Sequence, residues 1–180
     1  MSIERPTPID REVNWDKTRT IMSRTDAAGT IDYVNQVFCD VCGYSAEELL
    51  GAPHNIIRHP DIPRVIFKVL WDNIQKGINF HAIAKNLAKS GEYYWVVTDF
   101  DIIKDPEGRI VSYLARRTSV PKGSIDKYIA PLYAKMLQVE QVGGMEASGA
   151  YLEKFLKDNG YRDYIDFIEK LFSVVENSFF

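Results

Sequence analysis

GEYYWVVTDFDIIKDPEGRIVSYLARRTSV, residues 91–120, holds two long strand-like runs joined by one turn. Glu92 to Ile103 and Arg109 to Val120 are rich in Tyr, Trp, Val and Ile, residues that fit a pleated, half-buried surface. Between them stands Asp105-Pro106-Glu107-Gly108, with proline second and glycine fourth, which suits a type I turn. Just upstream, Ser90-Gly91 turns the chain out of a third run, Asn79 to Ala88. Together the three predict an antiparallel meander.

Outward from the meander the texture changes. A helix is predicted from Ile62 to about Lys76, capped by Asp61 and stopped by Gly77. Ser45-Ala46-Glu47-Glu48 fits a capping box, and Asn35 to Gly43 reads as a short helical piece. Thr20 to Thr25 and Thr30 to Val34 read as a hairpin around Asp26-Ala27-Ala28-Gly29. Two strands, a knot of short helices, one longer helix and three strands give an α+β architecture: a five-stranded antiparallel sheet with helices on one side. Residues 1–17 form an extended arm, residues 18–121 the sheet domain, and residues 122–180 a helical extension. That extension carries Leu132, Met136, Val139 and Val142 up to Gly143-Gly144, then Leu152, Phe155 and Leu156 up to Asn159-Gly160. Its last stripe is Tyr164, Phe167, Ile168, Leu171, Phe172 and Val175.

Bulk properties exclude several classes. A net charge of −3 offers no basic footprint for nucleic acid. No run approaches the roughly 18 apolar residues of a membrane span, and the first 16 residues lack a signal-peptide core. A cytoplasmic protein without direct membrane insertion is expected. Cys39 and Cys42 form a Cys-x-x-Cys, but with only His54, His59 and His81 beside them there is no second ligand pair for zinc. Two cysteines three apart share a helix face, which reads as buried packing. With no nucleophile–base–orienter set and no Gly-rich phosphate loop, the chain is not expected to be an enzyme.

Two stretches carry a family likeness. The first runs Gly29-Thr30-Ile31-Asp32-Tyr33-Val34-Asn35, through Gly43-Tyr44-Ser45, to Glu48-Leu49-Leu50-Gly51. It resembles the opening of many PAS domains. The second is His54-Asn55-Ile56-Ile57-Arg58-His59-Pro60-Asp61-Ile62-Pro63, with Phe67, Trp71, Lys85-Asn86 and Gly91-Glu92-Tyr93-Tyr94-Trp95-Val96. This is similar to the PAS domains of Aer-like energy-taxis receptors, which bind FAD noncovalently and sense redox state. The likeness spans about Arg19 to Glu140. Where the family commonly shows tryptophan and glycine before the Lys-Asn pair and basic residues after it, this chain has Phe80-His81-Ala82 and Leu87-Ala88. The receptors also carry a membrane anchor and a methyl-accepting coiled coil. Without these the resemblance implies the separate PAS partner of a two-protein system, signalling to a membrane-bound chemoreceptor-type protein, with homodimerisation open.

The expected cofactor is FAD, and the candidate binding residues are Trp71, Arg58, His59, Asn35, Asn86, Asp61 and His54. Trp71 offers an aromatic face. Arg58 and His59, just before a helix N-terminus, suit an anion, with Asp61 mainly a cap. Asn35 and Asn86 have amides suited to ring carbonyls and nitrogens. Haem on one histidine is the alternative cofactor, and a ligand-free adaptor the alternative role. A light-driven cysteine–flavin adduct is not expected, because no cysteine lies near Ile56 to Asp61.

Overall fold

Two hairpin turns of the sheet, those at Asp26 and Asp105, are built the same way, from an aspartate and a glycine three residues on. Asp26 Oδ1 accepts from Ala28 N and Thr30 N, and Asp105 Oδ1 accepts from Glu107 N and Arg109 N. Gly29 and Gly108 follow at φ 92° and 83°, a region that favours glycine. The computed structural model describes the backbone of residues 4–176 and the side chains through Ser173, so Met1 to Ile3 of the arm and the expected Val175 contact lie outside it.

The strands are β1 (Ile21–Asp26), β2 (Ile31–Val34), β3 (Ile83–Leu87), β4 (Tyr93–Lys104) and β5 (Ile110–Ser119). They form one sheet in the order β2-β1-β5-β4-β3 with every pairing antiparallel. The run expected from Asn79 is shorter than its composition implied. Asn79 instead spends its amide on β4, donating to Asp99 Oδ1 and accepting from Phe100 N.

One sheet face is covered by α1 (Gln36–Cys42), α2 (Ala46–Leu49), a 3-10 turn (His54–Ile57) and α3 (Arg64–Ile74). The capping box of α2 is formed as its sequence requires, with Ser45 and Glu48 bonding reciprocally. α3 departs from expectation at its start. Asp61 does not cap it; the carboxylate reaches Lys85 Nζ at 2.8 Å. The free N–H groups of Arg64 and Val65 bond instead to Glu140, 76 and 75 residues on. Pro63 at the cap position has no side chain able to accept, so the acceptor is supplied by the tertiary fold.

The chain then runs through α4 (Lys122–Ser124) and one π-helical turn (Ile125–Ile129) into α5 (Ala130–Asp158) and α6 (Tyr164–Glu176). Pro131 cannot donate to the preceding turn, and the wide turn ahead of it accommodates the ring. Gly144 breaks α5 at φ 75°, ψ −173°, where Gly143-Gly144 predicts a stop. Across the break Ser148 Oγ donates to Met136 O. The helical extension is packed within the chain: Leu132, Met136, Leu156, Phe167 and Ile168 share one buried cluster with Ile66 of α3 and Ile83 of β3. Two tyrosines seal the edge strand. Tyr133 Oη donates to Ile83 O (2.7 Å), Tyr164 Oη accepts from Ile83 N (3.2 Å), and the two hydroxyls bond to each other.

Candidate functional site

The inner face of β5 alternates Tyr113, Ala115 and Arg117, side by side with Thr98 and Phe100 of β4 and with Ser23 and Thr25 of β1. Small residues here leave room. Between this face, the 3-10 turn and α3 lies a cavity of about 200 Å³. Phe67, Leu70, Trp71 and Ile74 wall it from α3, and Ala82, Ala84 and Asn86 from the β3 side. Trp71 packs against Tyr113 with ring centroids 5.5 Å apart, and its Cη2 lies 3.7 Å from where a side chain on Gly29 would begin.

The polar end of the cavity is a bonded trio. Arg117 Nη1 donates to Ser23 Oγ at 2.8 Å and Nη2 donates to His54 Nε2 at 2.8 Å. An arginine only donates, so His54 Nε2 is an acceptor, and Ser23 Oγ donates to it as well at 3.2 Å. Burial, reinforced by the Arg117 charge, pushes the His54 pKa well below its usual value. His54 is therefore neutral, with its proton on Nδ1. Arg117 is only 5% exposed, and burial lowers its pKa to about 10. It remains a cation at neutral pH. Two arginines and no carboxylate line the cavity among the described residues. A buried guanidinium without a counter-charge is costly, and the expected remedy is an anionic or electron-rich occupant.

The second arginine, Arg58, is set beside β3 by a backbone bridge to Asn86. Its guanidinium carbon lies 4.0 Å from the Phe67 ring centre, and its Nε is buried with no partner.

Four of the seven residues expected from sequence line the cavity: Trp71, Arg58, Asn86 and His54. Three fall outside it. Asn35 caps α1, accepting from Phe38 N and Met22 N and donating to Thr20 O, so its oxygen is fully used and its side chain does not line the cavity. Asp61 is on the surface with Lys85. His59 is 2% exposed and accepts from Asp61 N through Nδ1, shaping the entry to α3. Burial first, and Lys85 second, depress its pKa to about 4. Sequence reasoning missed Arg117 and Ser23. The signal was available in strand parity, because Arg117 shares the face of Ala115 and Tyr113.

The donor set fits a flat, electron-rich aromatic ligand: an aromatic wall, the two amides of Asn55 and Asn86, and two cations without counter-charge. It fits haem poorly. His54 is the one histidine lining the cavity among the described residues, and its Nε2 already faces the Arg117 cation. No cysteine lines it either, and burial pushes the Cys42 thiol up to about 12.

Residues 31–116 match a family model described as the PAS fold. The chain contains a PAS domain. The aerotaxis receptor of Escherichia coli (strain K12) is 39% identical over 114 residues, which are 63% of this chain and 22% of that receptor. The domain is thus Aer-like, and the chain spans about a fifth of that relative's length. The light-state structure of the blue-light photoreceptor Aureochrome1 LOV is 26% identical with a TM-score of 0.52, covering 67% of this chain and 90% of that one. A light-oxygen-voltage domain studied with a flavin analogue superposes with a TM-score of 0.55 at 20% identity, covering 69% and 87%. That likeness shows the fold. In PAS terms, the cavity lies between the inner face of the five-stranded sheet and the helical layer, and the C-terminal helices of this chain flank the β3 edge.

Proposed function

We propose that this PAS domain binds FAD noncovalently and works as a cytoplasmic redox sensor, a signalling module rather than an enzyme, that reports to a membrane-bound chemoreceptor-type partner. The observation that carries the reading is Arg117, a buried cation at the inner end of an apolar cavity whose lining supplies no carboxylate. The Aer-like sequence and the light-oxygen-voltage fold neighbours support a flavin as the occupant. When bound, a flavin supplies reversible electron uptake that changes the charge and protonation of its ring.

The chain's residues would answer that change in two ways. Trp71 and Tyr113 pack together as an apolar wall of the cavity, a surface beside which electrostatic contacts are less screened than in water. Arg117 holds a fixed positive charge there, while His54 is kept neutral by burial and by that same charge. The polar end therefore does not titrate near neutral pH, and its preference between ligand states is a preference about ligand charge. α3 contributes Phe67, Leu70 and Trp71 to the cavity and is tied at its N-terminus to Glu140 of α5. A ligand state that shifts α3 thereby acts on the C-terminal helices, the surface we assign to the partner.

The test is the absorption spectrum of the purified protein before and after dithionite. Two flavin bands that bleach on reduction, released by heat as FAD, are expected, and Arg117→Met is expected to lose them. A Soret band would move the cofactor to haem. Protein that stays colourless when offered FAD would overturn the sensor mechanism and leave a ligand-free PAS adaptor.

A further inference from the structure

The N-terminal arm is held to the sheet along a fixed path. Ile9 N donates to Gly91 O (2.9 Å), Val13 N to Tyr93 O (2.8 Å), and Tyr93 N to Arg11 O (3.0 Å). Glu12 thereby bridges to Tyr93 as a parallel strand would. Gly91 permits the approach: at φ 89°, a side chain there would begin 2.3 Å from Thr7 O. This path delivers Arg5 to the 3-10 turn, where its Nη1 donates to Arg58 O at 3.0 Å.

The Arg5 guanidinium therefore sits against the backbone of Arg58, whose own side chain lines the cavity. Arg58 has its Nε buried without a partner, and burial first, then the Arg5 charge, lower its pKa. Other cations of this region are neutralised: Arg11 by Glu92 at 3.0 Å, Lys85 by Asp61 at 2.8 Å. Among the described residues no carboxylate lies within ion-pair distance of Arg5 or Arg58, so the two like charges stand together uncompensated. Like charges held in proximity destabilise the fold unless an anion joins them.

We propose that Arg5 of the arm and Arg58 together form an anion subsite that takes the diphosphate of a dinucleotide. This rests on the flavin reading and makes it more specific. The ring-binding end of the cavity is common to riboflavin and FAD, whereas the arm selects the dinucleotide. Arginine suits the task, since its planar fork meets phosphate oxygens bidentately.

The experiment titrates FAD and riboflavin onto the full-length apoprotein, followed by flavin fluorescence, at low and high salt. Four proteins are compared: unmodified, Arg5→Ala, Arg58→Ala and, as control, Arg11→Ala. The unmodified protein is expected to prefer FAD, and Arg5→Ala to weaken FAD binding about tenfold with riboflavin unchanged. Arg5→Ala is also expected to flatten the salt dependence of FAD binding, with Arg11→Ala matching the unmodified protein. An unchanged FAD-to-riboflavin ratio in Arg5→Ala would overturn the subsite while leaving flavin binding intact. Failure of both flavins to bind the unmodified protein would overturn the flavin reading and the subsite with it. Equal thermal melts for Arg5→Ala and the unmodified protein separate lost contact from lost folding.

Discussion

Replacing Glu140 with alanine removes from the start of α3 a carboxylate that accepts Arg64 N at 2.9 Å, Val65 N at 3.3 Å and Arg64 Nε at 3.1 Å. Glu140 is only 6% exposed, so water cannot freely take its place. Loss of a helix N-cap costs about 1 kcal/mol, and charge-assisted hydrogen bonds carry about 1.5–3 kcal/mol each. Arg64 is largely exposed and its share is discounted. The sum expected for Glu140→Ala is about 3 kcal/mol, or a fall in Tm of about 6–12 °C for a chain of this size. Glu140→Gln keeps an acceptor oxygen and loses the charge, so it should cost about 1 kcal/mol. Urea denaturation followed by circular dichroism measures both, and native-state hydrogen exchange reports on the Arg64 and Val65 amides directly. In Glu140→Ala those two amides should lose protection first. A change under about 0.5 kcal/mol, the scale of an ordinary surface substitution, with both amides still protected would refute the idea that α5 holds α3.

Arg117→Met removes a buried cation and keeps an apolar stem of similar length, so the unliganded protein should be no less stable while flavin is lost; a ligand-free melt several degrees lower would argue that Arg117 serves the fold alone. Tyr164→Phe leaves Ile83 N without its acceptor and should cost about 1–2 kcal/mol in urea unfolding, with exchange of that amide accelerated. For pH, His54 and His59 are depressed in the fold, the latter to about 4, whereas the unfolded chain protonates them at the ordinary value near 6.5. Below 6.5 the unfolded state binds more protons, so stability should be level at neutral pH and fall as pH drops from about 6.5 toward 4. His59→Gln should flatten part of that slope in denaturation measured across the window, and an unaltered slope would remove His59 from the account.

What was legible in the sequence follows the range over which each signal acts. The capping box of α2, the Gly143-Gly144 break and the Asp-to-Gly turns are local, and they formed where their residues stand. The sheet was readable from alternation, since β-branched and aromatic runs specify strands regardless of partner. Errors arose where a distant residue competed. Asp61 is well placed to cap a helix, yet Lys85 takes its carboxylate and Glu140 supplies the cap from α5. Asn35 has the amide a ligand would want, yet two backbone N–H groups and one carbonyl hold it at the start of α1, away from the cavity. Arg117 was passed over because a charged residue in a strand reads as solvent-facing; its neighbour Arg116 does face outward, toward Asp99 and Asp101. Parity separates the two, and parity is fixed only once the register of β4 and β5 is known.

The placement of α3 ties these observations into one mechanism. The helix presents Phe67, Leu70, Trp71 and Ile74 to the cavity and buries Val65 and Ile66 in the cluster shared with α5 and α6. Gly149 of α5 sits against Val65, with 3.4 Å available to a first side-chain carbon, so the two helices are in close contact there. Interiors packed at this density do not deform continuously, and a displaced α3 must carry its neighbours or break from them. Breaking is opposed at the N-terminus of α3 by Glu140, whereas Tyr133 and Tyr164 tie α5 and α6 to β3. If Glu140 is removed, ligand binding should persist while the exchange rates of α5 and α6 amides become independent of ligand state. If the rates still follow the ligand in Glu140→Ala, the signal leaves the cavity through the sheet, by way of the Tyr133 and Tyr164 bonds to β3, and not through α3.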